Sequence, residues 1–271
     1  MRFAICNEIF KDWPFERACR FAREAGYEAI ELAPFTFARL ITDLAPERRL
    51  EIRRTAESAG LAISGIHWVL AYTEDYHANH PDPRVRDVTS AYLRAAVEFC
   101  ADVGGQFLIF GSPKRRDILS GVTPDQAVQW TCSTMAAAIR CAEDRGVTIC
   151  VEPLAPSETN FLNTAADAIA LVETVGSPAF QIMLDVKAMC SESASIPEII
   201  RASRGKFAYF HANDSNLKGP GFGTVDFVPI AAALREVHYA GTVSVEVFDF
   251  AEGPEVIALR SRAYLRQTFG N

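Results

Sequence analysis

The chain reads as a single (β/α)8 barrel over residues 1–271, and three observations lead to that fold class. Eight short apolar runs alternate without a break with eight longer segments of helical periodicity. The short runs are nearly continuous in apolar residues, as expected of parallel strands covered by helices. In four of them, ICVEPL (149–154), IMLDVKAM (182–189), AYFHANDS (208–215) and VSVEVFDF (243–250), the apolar run ends in a side chain able to ligate a metal, Glu152, Asp185, His211 or Glu246. Eight such units favour a closed barrel over an open sheet, and barrel sites sit at the carboxyl ends of strands. With 49% hydrophobic and 23% charged residues the composition is that of a globular protein, and no linker or low-complexity tract divides it.

FAICNEIF (3–10) is the first predicted strand. The first helix covers 14–27, with Pro14 at its opening and Gly26 near its end. AIELA (29–33) is followed by a helix over 46–60 that Gly60 closes, and LAISGIHW (61–68) is the third strand. The polar stretch 71–87, with His77 and His80, then reads as a lid in preference to a second metal pair. Val85, Val88, Tyr92, Leu93, Ala96, Val97 and Cys100 mark a helix over 85–104. QFLIFGSPKRR (106–116) is strand four, ending in a basic loop, Lys114 to Arg116, expected to be solvated. Thr123 caps the helix over 124–145. Strands over 147–154, 180–186, 207–214 and 242–248 alternate with helices over 164–176, 195–205, 226–239 and 253–269.

A net charge of −7 and a pI near 5.3 disfavour nucleic acid and anionic membrane as partners. A small uncharged or metal-chelating ligand fits better. No window approaches the roughly 20 apolar residues of a membrane span. The run MRFAICNEIF is too short for a signal peptide and meets Lys11 and Asp12 at once. Seven cysteines without a CxxC pair read as buried thiols in a reducing compartment, so the expected location is cytoplasmic.

Glu152, Asp185, His211 and Glu246 end strands five to eight. Burying three carboxylates together without a cation would be costly, and a divalent metal removes that cost. Mostly hard oxygen donors suit Mn, Mg or Co and admit Zn. Positions left open on such a metal could take the carbonyl and neighbouring hydroxyl of a ketose, and proton loss beside that carbonyl gives an enediolate. His67 stands at the correct end of strand three to touch a ligand or exchange a proton. Lys187, Asn213 and Asp214 share the layer of the ligands and could bind hydroxyls. The glycines of GPGFG read as a tight turn, since no P-loop lysine and no GxGxxG accompanies them.

The order of the four ligands, the EPL turn after strand five and GPGFGTVDF after strand seven resemble the xylose-isomerase-like superfamily of sugar isomerases and epimerases. Within it the chain is most similar to the ketose 3-epimerases that act on tagatose and psicose. The resemblance implies that Glu152, Asp185, His211 and Glu246 bind the metal. It also implies that Glu152 and Glu246 are catalytic, facing the substrate carbon from opposite sides, one removing and one returning a proton. Glu158 matches a carboxylate near the catalytic glutamate and substrate, and Phe248 an aromatic that flanks the sugar. Two positions depart from the pattern: Ala188 stands where a histidine is usual, and Leu217 where an arginine is usual. Both usual groups hold substrate oxygens.

The function expected is a metal-dependent isomerase or epimerase of a keto-sugar or related polyol derivative, acting by proton abstraction through an enediolate. One alternative is a lyase or dehydratase on a keto-sugar or keto-glycoside at the same site, with His67 or Lys187 as acid. A non-catalytic sugar-binding barrel is the alternative of another class. Phosphodiester hydrolysis of the AP-endonuclease kind, which shares the barrel, would need more histidines than five and a basic face. Homo-oligomers are common in the group.

Overall fold

The computed structural model describes residues 1–270. The eight apolar runs form parallel strands β1 (Arg2–Cys6), β2 (Ala29–Leu32), β3 (Ala62–Ile66), β4 (Phe107–Phe110), β5 (Thr148–Val151), β6 (Phe180–Asp185), β7 (Phe207–Ala212) and β8 (Thr242–Val245). They pair in sequence order, and β1 closes on β8 with Phe3 opposite Val243. Because the strands are parallel and closed, all eight carboxyl ends point to one rim.

The connecting helices are α1 (Phe15–Glu24), α2 (Pro46–Ser58), α3 (Pro83–Asp102), α4 (Pro124–Arg145), α5 (Ala165–Val175), α6 (Val186–Met189), α7 (Ile196–Ala202), α8 (Phe227–Glu236) and α9 (Pro254–Phe269). Local signals place their ends. Proline opens α2, α3, α4 and α9, where its missing N–H costs nothing. Thr123 with Gln126, and Thr164 with Asp167, form reciprocal caps. The main core lies between barrel and helices, and Ile109, Cys150, Met183 and Tyr209 form a smaller cluster of their own. Among the described residues no helix is long and apolar enough to cross a membrane.

The structure departs from the predicted pattern at several places that matter to the site. The first strand ends at Cys6, and Asn7–Phe10 form a 3-10 turn with Asn7 and Glu8 buried. The Asn7 side chain accepts from the Ala33 N–H (2.6 Å), tying this turn to the end of β2. An added single turn, α6, follows β6 because the Asp185 carboxylate accepts the Ala188 N–H (2.7 Å). The segment expected to be a lid is packed down at Tyr76 to Ala78. The Ala78 N–H donates to Arg115 O, the His77 N–H to Thr89 Oγ1, and Tyr76 stacks on Tyr92. Arg116, expected in a solvated loop, is fully buried. All seven cysteines are free, and Cys190 is exposed, unlike the others.

Candidate active site

Glu152 follows β5, Asp185 and His211 lie at the ends of β6 and β7, and Glu246 follows β8. All four are buried, and one ligating atom from each lies within 4.8 Å of the others. His211 Nδ1 is 3.1 Å from Glu246 Oε2, 3.8 Å from Glu152 Oε1 and 3.9 Å from Asp185 Oδ2. This buried nitrogen makes no hydrogen bond.

Its tautomer follows from its other face. His211 Nε2 is 3.2 Å from both oxygens of Glu31, a residue of β2. Glu31 also accepts from Tyr209 Oη (3.0 Å) and Cys6 Sγ (3.5 Å). Burial would raise its pKa, yet the charges of His211 and His67 bring it below the usual value. An ionised Glu31 can only accept, so His211 Nε2 carries a proton and Nδ1 is the nitrogen turned to the three carboxylates. A metal-ligating histidine commonly has such a carboxylate behind it. Burial also opposes a charged His211, but Glu246 and Glu31 raise its pKa well above normal. Burial and the Glu152 charge push Asp185 up to about 7. Both shifts express the same shortage of positive charge. An unpartnered imidazole nitrogen, three carboxylates and the backing Glu31 together fit a divalent cation.

Asn213 supports the cluster: its amide donates to Asp185 Oδ2 (2.6 Å) and Glu246 Oε2 (3.5 Å), and its carbonyl accepts the Lys187 N–H (2.8 Å). Arg116 reaches beneath it, donating to Phe110 O (3.2 Å) and Glu152 O (2.6 Å). Burial lowers its pKa to about 10, so it stays charged at neutral pH.

A pocket of about 110 Å³ opens above the cluster, walled by His67, Gly111, Glu152, Lys187, Glu246 and Phe248, with Glu158 and Trp68 among the other lining residues. The cluster and five of the six remaining sequence candidates, His67, Glu158, Lys187 and Phe248 with Asn213, thus meet in one region. His67 Nδ1 is 3.1 Å from Glu246 Oε1, and His67 Nε2 is 2.9 Å from Glu8 Oε2. Burial disfavours charge on His67, but Glu8 and Glu31 raise its pKa well above normal. Lys187 Nζ donates to Glu158 Oε1 (2.8 Å) and lies 4.2 Å from the Phe248 ring centre. Gly111 leaves room for Glu152, since a Cβ there would fall 1.6 Å from Glu152 Oε2.

Asp214 does not line this pocket. Its carboxylate accepts the Val225 N–H (3.1 Å) and the Ser215 hydroxyl (3.3 Å), so it ties down the glycine-rich turn. Leu217 is exposed, with its carbonyl accepting from Phe248 N and Asp249 N. Glu8, Glu31 and Gly111 are not among the sequence candidates, and Arg116 was expected in a solvated loop. The one signal available was Glu31, a lone carboxylate in the apolar run AIELA.

The model of the xylose isomerase-like TIM barrel family matches residues 19–268. L-ribulose 3-epimerase of Mesorhizobium japonicum is 31% identical over 235 residues, which span 86% of this chain and 75% of that one. D-psicose 3-epimerase of Agrobacterium fabrum is 37% identical over 107 residues, 40% of this chain and 37% of that relative's length. A crystal structure of D-psicose 3-epimerase in the presence of D-fructose superposes with a TM-score of 0.87 over 100% of both chains at 22% identity, a likeness of fold. On the family match and the extent of its likeness to L-ribulose 3-epimerase, the chain belongs to the xylose isomerase-like TIM barrel family, as an enzyme of the isomerase and epimerase type.

Proposed function

We propose that this chain is a metal-dependent epimerase of a keto-sugar or related polyol derivative, inverting a carbon beside the carbonyl. One observation carries the proposal: the unpartnered His211 Nδ1 faces three buried carboxylates directly below the pocket that two of them line. Glu152, Asp185, His211 and Glu246 would hold the cation, and their hard donor set suits Mn, Mg or Co. Such a cation, when bound, supplies Lewis-acid polarisation of a carbonyl.

The remaining chemistry belongs to the chain. Burial opposes ionisation of Glu246, but His211 and the hydrogen bond from His67 hold its pKa below the usual range. Glu246 is therefore ionised at neutral pH and able to take a proton. His67, gripped by Glu8, holds a proton at Glu246 Oε1 and fixes that carboxylate's orientation. Glu152, fitted against Gly111, offers the second carboxyl for return of a proton. The Lys187 and Glu158 pair presents a donor and an acceptor to sugar hydroxyls, and Phe248 packs beside them. In this chain those groups take over part of the task that a histidine and an arginine, replaced by Ala188 and Leu217, perform in the ketose 3-epimerase pattern. A second reading, elimination from a keto-sugar or keto-glycoside, draws support from Lys187 and His67, two proton donors in the pocket wall.

The test is to incubate the Mn-loaded protein with a panel of keto-sugars in deuterated water and to follow them by NMR and mass spectrometry. Epimerisation puts one deuterium beside the carbonyl with the carbon skeleton and its substituents intact. Release of water or an aglycone favours elimination, and the absence of exchange with every sugar rejects the enzyme proposal.

A further inference from the structure

The pocket continues outward across two shared walls. Trp68 and Pro113 line both the inner pocket and a surface groove of about 400 Å³, which extends along Tyr72, Glu74, Lys114 and Arg115. The inner space corresponds to about four water molecules, which leaves no room for more than one sugar ring. The groove is the larger of the two.

Its floor is aromatic and built at a conformational cost. Trp68 (φ 49°) and Tyr72 (φ 55°) both occupy the left-handed region, which bulky side chains seldom adopt. The turn that forces them there is pinned to the loop after β4, with the Leu70 N–H donating to Ser112 Oγ (3.1 Å) and the Ala71 N–H to Trp68 O (2.9 Å). Phe35, from the loop after β2, meets both rings edge-on, at 5.7 Å from Trp68 and 5.0 Å from Tyr72. Despite these contacts Tyr72 is 70% exposed, the highest value among the exposed large apolar side chains of the described residues. Strained backbone held by a specific turn, presenting rings at the mouth of a catalytic pocket, is a signature of function. Flat aromatic surface flanked by charged and hydroxyl groups recognises a ring with an apolar face and polar edges.

We propose that this groove is a second subsite, which takes the outer ring of a keto-sugar carrying a glycosidic substituent while the reacting ring lies beside Glu152 and Glu246. The proposal rests on the epimerase function for the reaction it extends, and names its substrate class as a two-ring keto-glycoside in preference to a free monosaccharide. Trp68 marks the junction of the two rings, Tyr72 stacks on the outer one, and Glu74, Lys114 and Arg115 meet its polar edge.

The experiment compares a methyl keto-glucoside with the phenyl keto-glucoside, by deuterium exchange, on the wild type, Tyr72→Ala and Tyr72→Phe. In parallel, calorimetry measures binding of methyl and phenyl glucosides, which lack the carbonyl. The phenyl compounds are expected to exceed the methyl ones about tenfold in kcat/KM, through KM, and about tenfold in affinity. Tyr72→Ala brings both ratios close to one, and Tyr72→Phe keeps them. Exchange at equal kcat/KM on the two keto-glucosides, with equal binding of the two glucosides, overturns the subsite and leaves the epimerase function standing. Preference in binding without exchange on either keto-glucoside leaves the subsite standing and counts against the epimerase function. A change of oligomeric state in Tyr72→Ala by sedimentation, with both ratios unaltered, assigns the rings to a contact with a second copy and overturns the subsite.

Discussion

Asp185 shows how the site works against the fold that holds it. Its ordinary pKa of 3.8 rises to about 7, through burial first and the Glu152 charge second. A group whose folded pKa is raised keeps its stability contribution below the unfolded value and loses it as pH climbs through the folded one. The metal-free protein should therefore lose stability between about pH 4 and pH 7. In chelator, Asp185→Asn should be more stable than the wild type at pH 8 and should differ less at pH 5, read by urea midpoints. With Mn at a hundredfold excess over its Kd, the wild type should gain about 3 kcal/mol and the variant far less. At Gly111 the prediction separates function from folding. The atom that an added Cβ would strike is the tip of a flexible side chain, Glu152 Oε2, so Gly111→Ala should fold. Its Tm should stay within about 3 °C of the wild type, while activity falls about a hundredfold or more because Glu152 is turned out of the cluster.

At the level of elements, the loops after β1 to β4 brace what the ends of β5 to β8 present. Arg116, after β4, joins Phe110 O to Glu152 O and so ties the end of β4 to the start of the Glu152 loop. Arg116→Met removes both donors and leaves the buried Glu152 carbonyl without its partner, while Phe110 O keeps the Glu152 N–H. It should cost about 3 kcal/mol in urea unfolding, with a disproportionate loss of activity because the Glu152 backbone is released. Arg116→Lys, which keeps the charge but not the planar fork, should recover part of the stability. These bracing residues were hard to read from sequence for a common reason. Arg116 sits in the run KRR, where its neighbours Lys114 and Arg115 suggest a solvated loop, and its partners Asn79, Phe110 and Glu152 all lie outside that run. Glu8 lies in the apolar run FAICNEIF, which looks like strand to its last residue. The turn at Asn7 that brings Glu8 inward depends on a hydrogen bond to Ala33. The cluster candidates were legible because each ends an apolar strand in its own sequence window.

Over the whole molecule, barrel closure converts sequence distance into proximity. Strand order, closure and the helix ends were readable because caps, prolines and apolar runs are local signals. Pairs such as His67 with Glu246, or His211 with Glu31, join opposite sides of the barrel, and nothing in either partner's neighbourhood specifies the other. That is why Glu31, which sets the His211 tautomer, was passed over while His211 was found. The central claim is that two carboxyls, Glu152 and Glu246, serve opposite faces of one carbon. It is tested most directly by following deuterium exchange from each of the two epimers separately with Glu152→Gln and Glu246→Gln, at matched metal content. Each variant should interconvert the epimers about a thousandfold or more slowly than the wild type, with Glu152→Gln retaining exchange from one epimer only and Glu246→Gln from the other only. Interconversion that survives either substitution, or loss of exchange from the same epimer in both, would contradict the claim.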